Sequence, residues 1–150
     1  MADLRCPLAL EYVIEKYNPD IETPEAFPIL IYCALELFER FHSEDVSLHI
    51  TTPCASLKNL GNSLGLRNVT FMTWNEFAAE NAISLKRKTL KESPIPPGFF
   101  NGVSCNVKSL ASKEEIDAFF SAQKENPDIV ELLYCRQGCH NGDGILEGAP

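Results

Sequence analysis

Hydrophobic residues recur at helical spacing near the start of the chain. From residue 7 onward, Leu10, Val13 and Tyr17 fall on one face of a helix. Pro7 suits the first helical position, where its missing N–H leaves no hydrogen bond unmade. The same spacing returns between about Glu25 and His42. The pattern therefore predicts two helices before any strand.

Beyond the second helix, short apolar stretches with strand character alternate with helical patterns. The helices are predicted from Ser56 to Leu64, after Thr73 with Glu76 completing a capping box, and from Ser112 to Lys124. The strands are predicted at residues 46–50, 68–72, 103–107 and 128–134. Residues 84–100 contain several prolines and read as a connecting loop. This alternation predicts an α/β fold with a small, mostly parallel sheet of about four strands and helices on its faces.

Composition narrows the class of protein. A chain of 150 residues that is 45% hydrophobic can bury one core, so residues 1–150 are expected to form a single domain. The formal net charge of −8 argues against a nucleic-acid surface, which needs clustered cations. No apolar run is long enough to cross a membrane, and the first residues lack the apolar core of a signal peptide. We therefore expect a cytoplasmic protein that binds neither nucleic acid nor membrane.

Four of the six cysteines stand where an apolar segment gives way to a turn or a helix start. Cys135 and Cys139 share a glycine-rich loop after the last strand, Cys54 follows an earlier strand, and Cys6 precedes the first helix. Thiolates suit iron and zinc, and glycines let the backbone approach a bulky metal group. Sites in parallel sheets gather at the carboxyl ends of strands. The sequence thus predicts a metal centre on these four cysteines, with Cys33 and Cys105 as buried thiols.

The arrangement of these cysteines resembles a known family. The Cys6-Pro7 pair that opens a helix, Pro53-Cys54 after a strand, and the segment Glu131–Gly144 are similar to the three signature loops of the catalytic C-terminal domain of the iron-only hydrogenase large subunit. The resemblance implies that Cys6, Cys54, Cys135 and Cys139 hold a [4Fe-4S] cluster. Backbone N–H groups of the last loop are expected to donate to the cluster sulfurs. These cofactor-binding residues are Gly138, Asn141, Gly142 and Gly144.

The chain departs from that family where the enzyme handles hydrogen. Arg5 stands in place of a proton-carrying cysteine, and Leu57 and Leu60 stand in place of a lysine and a glutamate near the diiron unit. Two methionines of the family are replaced by Thr52 and Leu133. We therefore predict no catalytic residue. The expected function is redox or oxygen sensing, or electron transfer, by a [4Fe-4S] cluster.

The sequence is also compatible with two alternative functions. The chain is alternatively a hydrogenase-type oxidoreductase domain that retains a diiron unit, or a structural or interaction domain that binds zinc through the same cysteines. The resemblance implies that the chain is a fragment of a larger regulatory or redox protein. Its partner would then be a redox protein or an adjoining ferredoxin-like or sensory domain. His140, inside the last cysteine loop, is expected to be an exposed residue without a role in the site, and hydrogen bonding to a sulfur or proton transfer is the less favoured alternative.

Overall fold

The computed structural model of the protein describes residues 1–17, 19–43, 45–83, 93, 95–122 and 125–145. The chain is divided into two compact units. Unit 1 consists of Met1–Ala26 and Leu90–Asn141, and unit 2 consists of Phe27–Thr89 and Gly142–Pro150. The helices and strands are, in chain order, α1 (Pro7–Tyr17), α2 (Ile29–Phe41), β1 (Leu48–Thr52), α3 (Ala55–Ser63), β2 (Val69–Thr73), α4 (Trp74–Glu80), β3 (Val107–Leu110), α5 (Lys113–Ala122) and β4 (Ile129–Leu132). Residues 84–92 of the predicted loop lie outside the described residues.

Unit 1 is built on a parallel pair of strands. Strand β3 runs beside β4, with Val107 opposite Ile129 and Leu110 opposite Leu132. Ala2 forms a further parallel bridge to Val130 of β4. The buried core consists of Ala2, Cys6, Ala9, Val13, Leu110, Ile116, Val130, Leu132 and Leu133. Cys6 is thus part of this core, and β4 leads from the core directly into the loop that carries Cys135.

Unit 2 is also built on a parallel pair of strands, and one helix connects them along the chain. Strands β1 and β2 pair in parallel from Leu48 opposite Val69 to Thr52 opposite Thr73. The buried core consists of Ile31, Ala34, Ile50, Leu57 and Phe71. At the end of β2, Thr73 caps α4 by accepting from the N–H of Glu76 at 3.2 Å, and Glu76 accepts from the N–H of Thr73 at 2.7 Å. The predicted capping box is therefore confirmed.

The α/β class and the parallel pairing are confirmed, but the single sheet is not. In the part of the chain that the structure describes, the four strands form two sheets of two strands each. In each pair, one helix connects the two strands, as a parallel connection requires. Periodicity along the chain identifies strands without saying which strand lies beside which, so the number of sheets was not predictable from it.

Several element boundaries also differ from the prediction, among them the starts of α2 and β3. Helix α2 begins at Ile29 because Pro28 has an extended backbone (ψ 149°) and stands at the helix start instead of inside the first turn. Strand β3 begins at Val107, and residues 103–105 form turns and bends. Every helix among the described residues is too short or too polar to cross a bilayer.

Candidate metal centre

The loop after β4 is shaped by two residues with positive φ. Gln137 has φ 61° and Gly138 has φ 116°. A Cβ at position 138 would lie 2.7 Å from the carbonyl oxygen of Ile95 and would also collide with Ser93. Only glycine combines this conformation with so close an approach of another segment. The glycine three residues after Cys135 is therefore required by the course of the loop.

Several N–H groups of this loop hold its own turns. The Gly138 N–H donates to the Cys135 carbonyl at 3.0 Å, and the Asn141 N–H donates to the Gly138 carbonyl at 3.2 Å. The side chain of Asn141 donates to the Arg136 carbonyl at 2.7 Å. Cys135 and Cys139 are half-buried within these turns. The N–H groups of Gly138 and Asn141 thus help to hold the shape of the loop. From the sequence, the same N–H groups were expected to donate to the cluster sulfurs.

Cys6 lies at the start of α1, where the Leu10 N–H donates to its carbonyl at 3.2 Å. Burial of its thiol raises the pKa, although hydrogen bonds from the backbone N–H groups of Tyr134, Ala9 and Leu8 act in the opposite direction. The N–H of Tyr134 belongs to the residue immediately before Cys135. Unit 1 therefore places the Cys6 sulfur against the backbone at the start of the Cys135–Cys139 loop.

One buried ionic network connects the residues before Cys6 with strand β4, which leads to Cys135. Arg5, the neighbour of Cys6, donates from Nε to Asp3 at 2.7 Å and from Nη2 to Glu131 in the middle of β4. Its guanidinium also stacks over the ring of Phe99, with the carbon 4.7 Å from the ring centroid. The network ties the chain before Cys6 to the strand that leads to Cys135. Sequence reasoning missed it, although a glutamate within the apolar run of β4 was a signal.

Glu131 is fully buried, and each of its carboxylate oxygens accepts from two groups. One oxygen accepts from the Gly98 N–H at 2.7 Å and from the Ser109 hydroxyl. The other accepts from the Phe99 N–H at 2.9 Å and from Arg5. Burial opposes ionisation of this carboxyl, but the donors outweigh that effect and lower its pKa. Glu131 thus holds the segment around Gly98 against β4 as a fixed anion.

Cys54 occupies the position before α3 in unit 2. Its extended backbone (φ −153°, ψ 161°) places its carbonyl to accept from the Lys58 N–H at 3.2 Å. The Gly144 N–H donates to the Pro53 carbonyl at 3.0 Å, and a Cβ at Gly144 would lie 2.8 Å from the same oxygen. Asp143 accepts from the Ala55 N–H at 3.0 Å. Gly144 and Asp143 therefore bind the turn that carries Cys54, and the buried Gly142 belongs to the same unit.

The four predicted ligands are distributed over both units. Cys6, Cys135 and Cys139 belong to unit 1, and Cys54 belongs to unit 2. Within the described ranges, no group of three or more histidine, cysteine, aspartate or glutamate side chains is arranged to hold a metal ion. Cys33 and Cys105 are exposed, so the prediction that they are buried was wrong. Cys33 lies on the outer side of α2, and Cys105 lies in a bend before β3.

His140 also differs from expectation, because it is buried with 8% of its surface exposed. The short 3-10 helix Cys139–Asn141 turns its ring inward. The ring nitrogen Nε2 lies 3.2 Å from the side-chain nitrogen of Asn141. The other ring nitrogen, Nδ1, is buried and has no hydrogen-bond partner among the described residues. Buried polar atoms without a partner are uncommon in native proteins, so this nitrogen is a distinctive feature of the loop.

Comparison with known protein families, with curated proteins and with solved structures finds no match to this chain. The resemblance to the hydrogenase domain therefore rests on the sequence alone and stays a prediction.

Proposed function

We propose that the protein binds a [4Fe-4S] cluster through Cys6, Cys54, Cys135 and Cys139, and uses it for redox or oxygen sensing or for electron transfer. One observation carries this proposal. The buried Cys6 thiol receives hydrogen bonds from backbone N–H groups, and one of these groups belongs to the residue before Cys135. Two cysteines 129 positions apart in sequence (135 − 6) are thereby directed to the same part of unit 1.

The environment of Cys6 suits a metal-bound sulfur better than a free thiolate. Burial disfavours an uncompensated thiolate, which is why the pKa of Cys6 is raised. A bound iron neutralises the thiolate charge, and N–H groups such as those of Tyr134 and Ala9 then stabilise the sulfur as they do in iron–sulfur proteins. When bound, the cluster supplies a one-electron redox couple. The unpartnered Nδ1 of His140 is a second feature that fits a sulfur-rich group beside Cys139.

The residues that replace the hydrogenase machinery support a role without hydrogen chemistry. Arg5 is held by Asp3 and Glu131 and does not act as an exchangeable proton carrier. Leu57 is 3% exposed and belongs to the core of unit 2, so it offers no polar group to a diiron unit. In this proposal the protein is a redox module, and its partner is a redox protein or an adjoining ferredoxin-like or sensory domain.

The test is the iron and acid-labile sulfide content of the full chain, prepared and reconstituted without oxygen. About four irons and four sulfides per chain, with a paramagnetic signal after reduction, are expected for a [4Fe-4S] cluster. The variants Cys6→Ser, Cys54→Ser, Cys135→Ser and Cys139→Ser should each lose iron. The exposed Cys33 and Cys105 provide matched controls, because Cys33→Ser and Cys105→Ser should keep it.

Three results would contradict the proposal. Stoichiometric zinc without sulfide would identify a structural zinc site on the same cysteines. Iron that survives Cys6→Ser and Cys54→Ser but not Cys135→Ser would place a different, smaller site in the last loop. A carbon monoxide infrared band from protein isolated without oxygen, before any reconstitution, would instead favour the enzyme alternative with a diiron unit.

A further inference from the structure

The position of the proton on His140 follows from its neighbour. The side-chain nitrogen of Asn141 lies 3.2 Å from Nε2 of His140, and the same nitrogen donates to the Arg136 carbonyl at 2.7 Å. An amide NH2 group can only donate, so Nε2 must accept. In a neutral imidazole the single proton is then on Nδ1. For the neutral ring, this contact assigns the donor role to Nδ1.

This donor has no acceptor among the residues that the structure describes. His140 as a whole is 8% exposed, so solvent does not supply the acceptor readily. A buried N–H without an acceptor costs about 1–3 kcal/mol, and native proteins keep few of them. Nδ1 is therefore a buried group without a partner among the described residues, one residue after Cys139.

We propose that Nδ1 of His140 donates a hydrogen bond to a sulfur of the cluster, either the Cys139 thiolate or an adjacent sulfide. This inference rests on the proposed [4Fe-4S] cluster and adds a residue that tunes it. Metal-bound thiolates and sulfides accept hydrogen bonds and carry the negative charge that a donor stabilises. Cys139 directly precedes His140 in one 3-10 turn, so the donor and the predicted ligand share a rigid segment.

The hydrogen bond has a defined effect on the cluster. Reduction adds one negative charge, so an N–H donor stabilises the reduced cluster more than the oxidised one and raises the reduction potential. Loss of the donor should lower the ratio of reduced to oxidised cluster roughly tenfold at a fixed solution potential. For a one-electron couple this equals a shift of about 59 mV toward more negative potential.

The experiment is a redox titration of the reconstituted full chain, followed by electron paramagnetic resonance. His140→Gln and His140→Phe should show the negative shift, because neither places a donor where Nδ1 lies. His140→Asn should stay close to the wild type, since its amide nitrogen occupies nearly the place of Nδ1. His49→Phe is the matched control, because His49 is exposed on β1. If His140→Phe does not fold, the Asn and Gln variants still decide the question.

A second measurement distinguishes a histidine that donates a hydrogen bond to a cluster sulfur from a histidine that binds iron directly. In pulsed spectra of the reduced cluster, the wild type should show one exchangeable-proton coupling that is absent from His140→Gln, beside the couplings of backbone N–H groups that both proteins share. Equal potentials for the wild type, Asn and Gln proteins, or a strong coupling to a directly bound histidine nitrogen, would overturn the inference. Wild-type protein that takes up no iron and sulfide would instead contradict the proposed function.

Discussion

Replacement of Glu131 by glutamine tests the network that holds the Cys6 and Cys135 segments. Glu131→Gln preserves the shape of the side chain but removes its charge and converts one acceptor oxygen into a donor. Each oxygen of Glu131 accepts from a backbone N–H, one from Gly98 and one from Phe99. Whichever way the new amide is turned, its NH2 group faces one of these N–H groups, and Arg5 loses one of its two buried carboxylate partners.

The expected loss of stability follows from the burial of both side chains. The side chains of Arg5 and Glu131 are 10% and 0% exposed. Breaking a buried ion pair by removing one charge costs about 3–5 kcal/mol. We expect the free energy of unfolding to fall by about that amount, a large part of the roughly 5–15 kcal/mol that domains usually possess.

The assay is urea unfolding of the metal-free chain, followed by far-ultraviolet circular dichroism at neutral pH. The matched control is Glu36→Gln, which removes the partner of Arg40 from a pair whose side chains are 68% and 62% exposed. This control should change stability by no more than about 0.5 kcal/mol. The reasoning fails if both variants lower the free energy of unfolding by the same small amount.

Three further predictions concern the loop, a helix cap and pH. Gly138→Ala should destabilise the protein by about 1–3 kcal/mol because of its φ of 116° and the contact with Ile95. Gly102→Ala, where a Cβ meets nothing within 4 Å, should be near neutral in the same urea unfolding assay. Thr73→Ala should cost about 1 kcal/mol through loss of the α4 cap, and an equal loss in exposed Thr51→Ala would contradict this. Because the folded pKa of Glu131 lies below its ordinary value of 4.5, its contribution is present above that pH and is lost as the pH falls. Urea titrations from pH 7 to pH 3 should show a weaker acid loss in Glu131→Gln, and an unchanged profile would refute the assignment.

Features that depend on a few neighbouring residues were predictable from the sequence. The spacing of apolar residues indicated α1, and Thr73 with Glu76 indicated the capping box at α4. The run of prolines and glycines around Gly98 indicated a segment without regular structure. The glycine after Cys135 marked a turn that no other residue could form without strain. Helix periodicity, caps and turns are settled within about one or two turns of chain, so they leave a readable pattern.

The tertiary structure alone decided the features that join distant residues. Separation of the strands into two sheets depends on which strands pair, and pairing energies are not visible in either strand by itself. Burial of Glu131 depends on Arg5, 126 positions away, and on the N–H groups of Gly98 and Phe99. The burial of His140 and the exposure of Cys33 likewise depend on how distant segments pack around each residue. The sequence by itself determined the local elements and the candidate thiolates, whereas long-range packing decided which polar groups are desolvated, because desolvation depends on every segment that closes around a side chain.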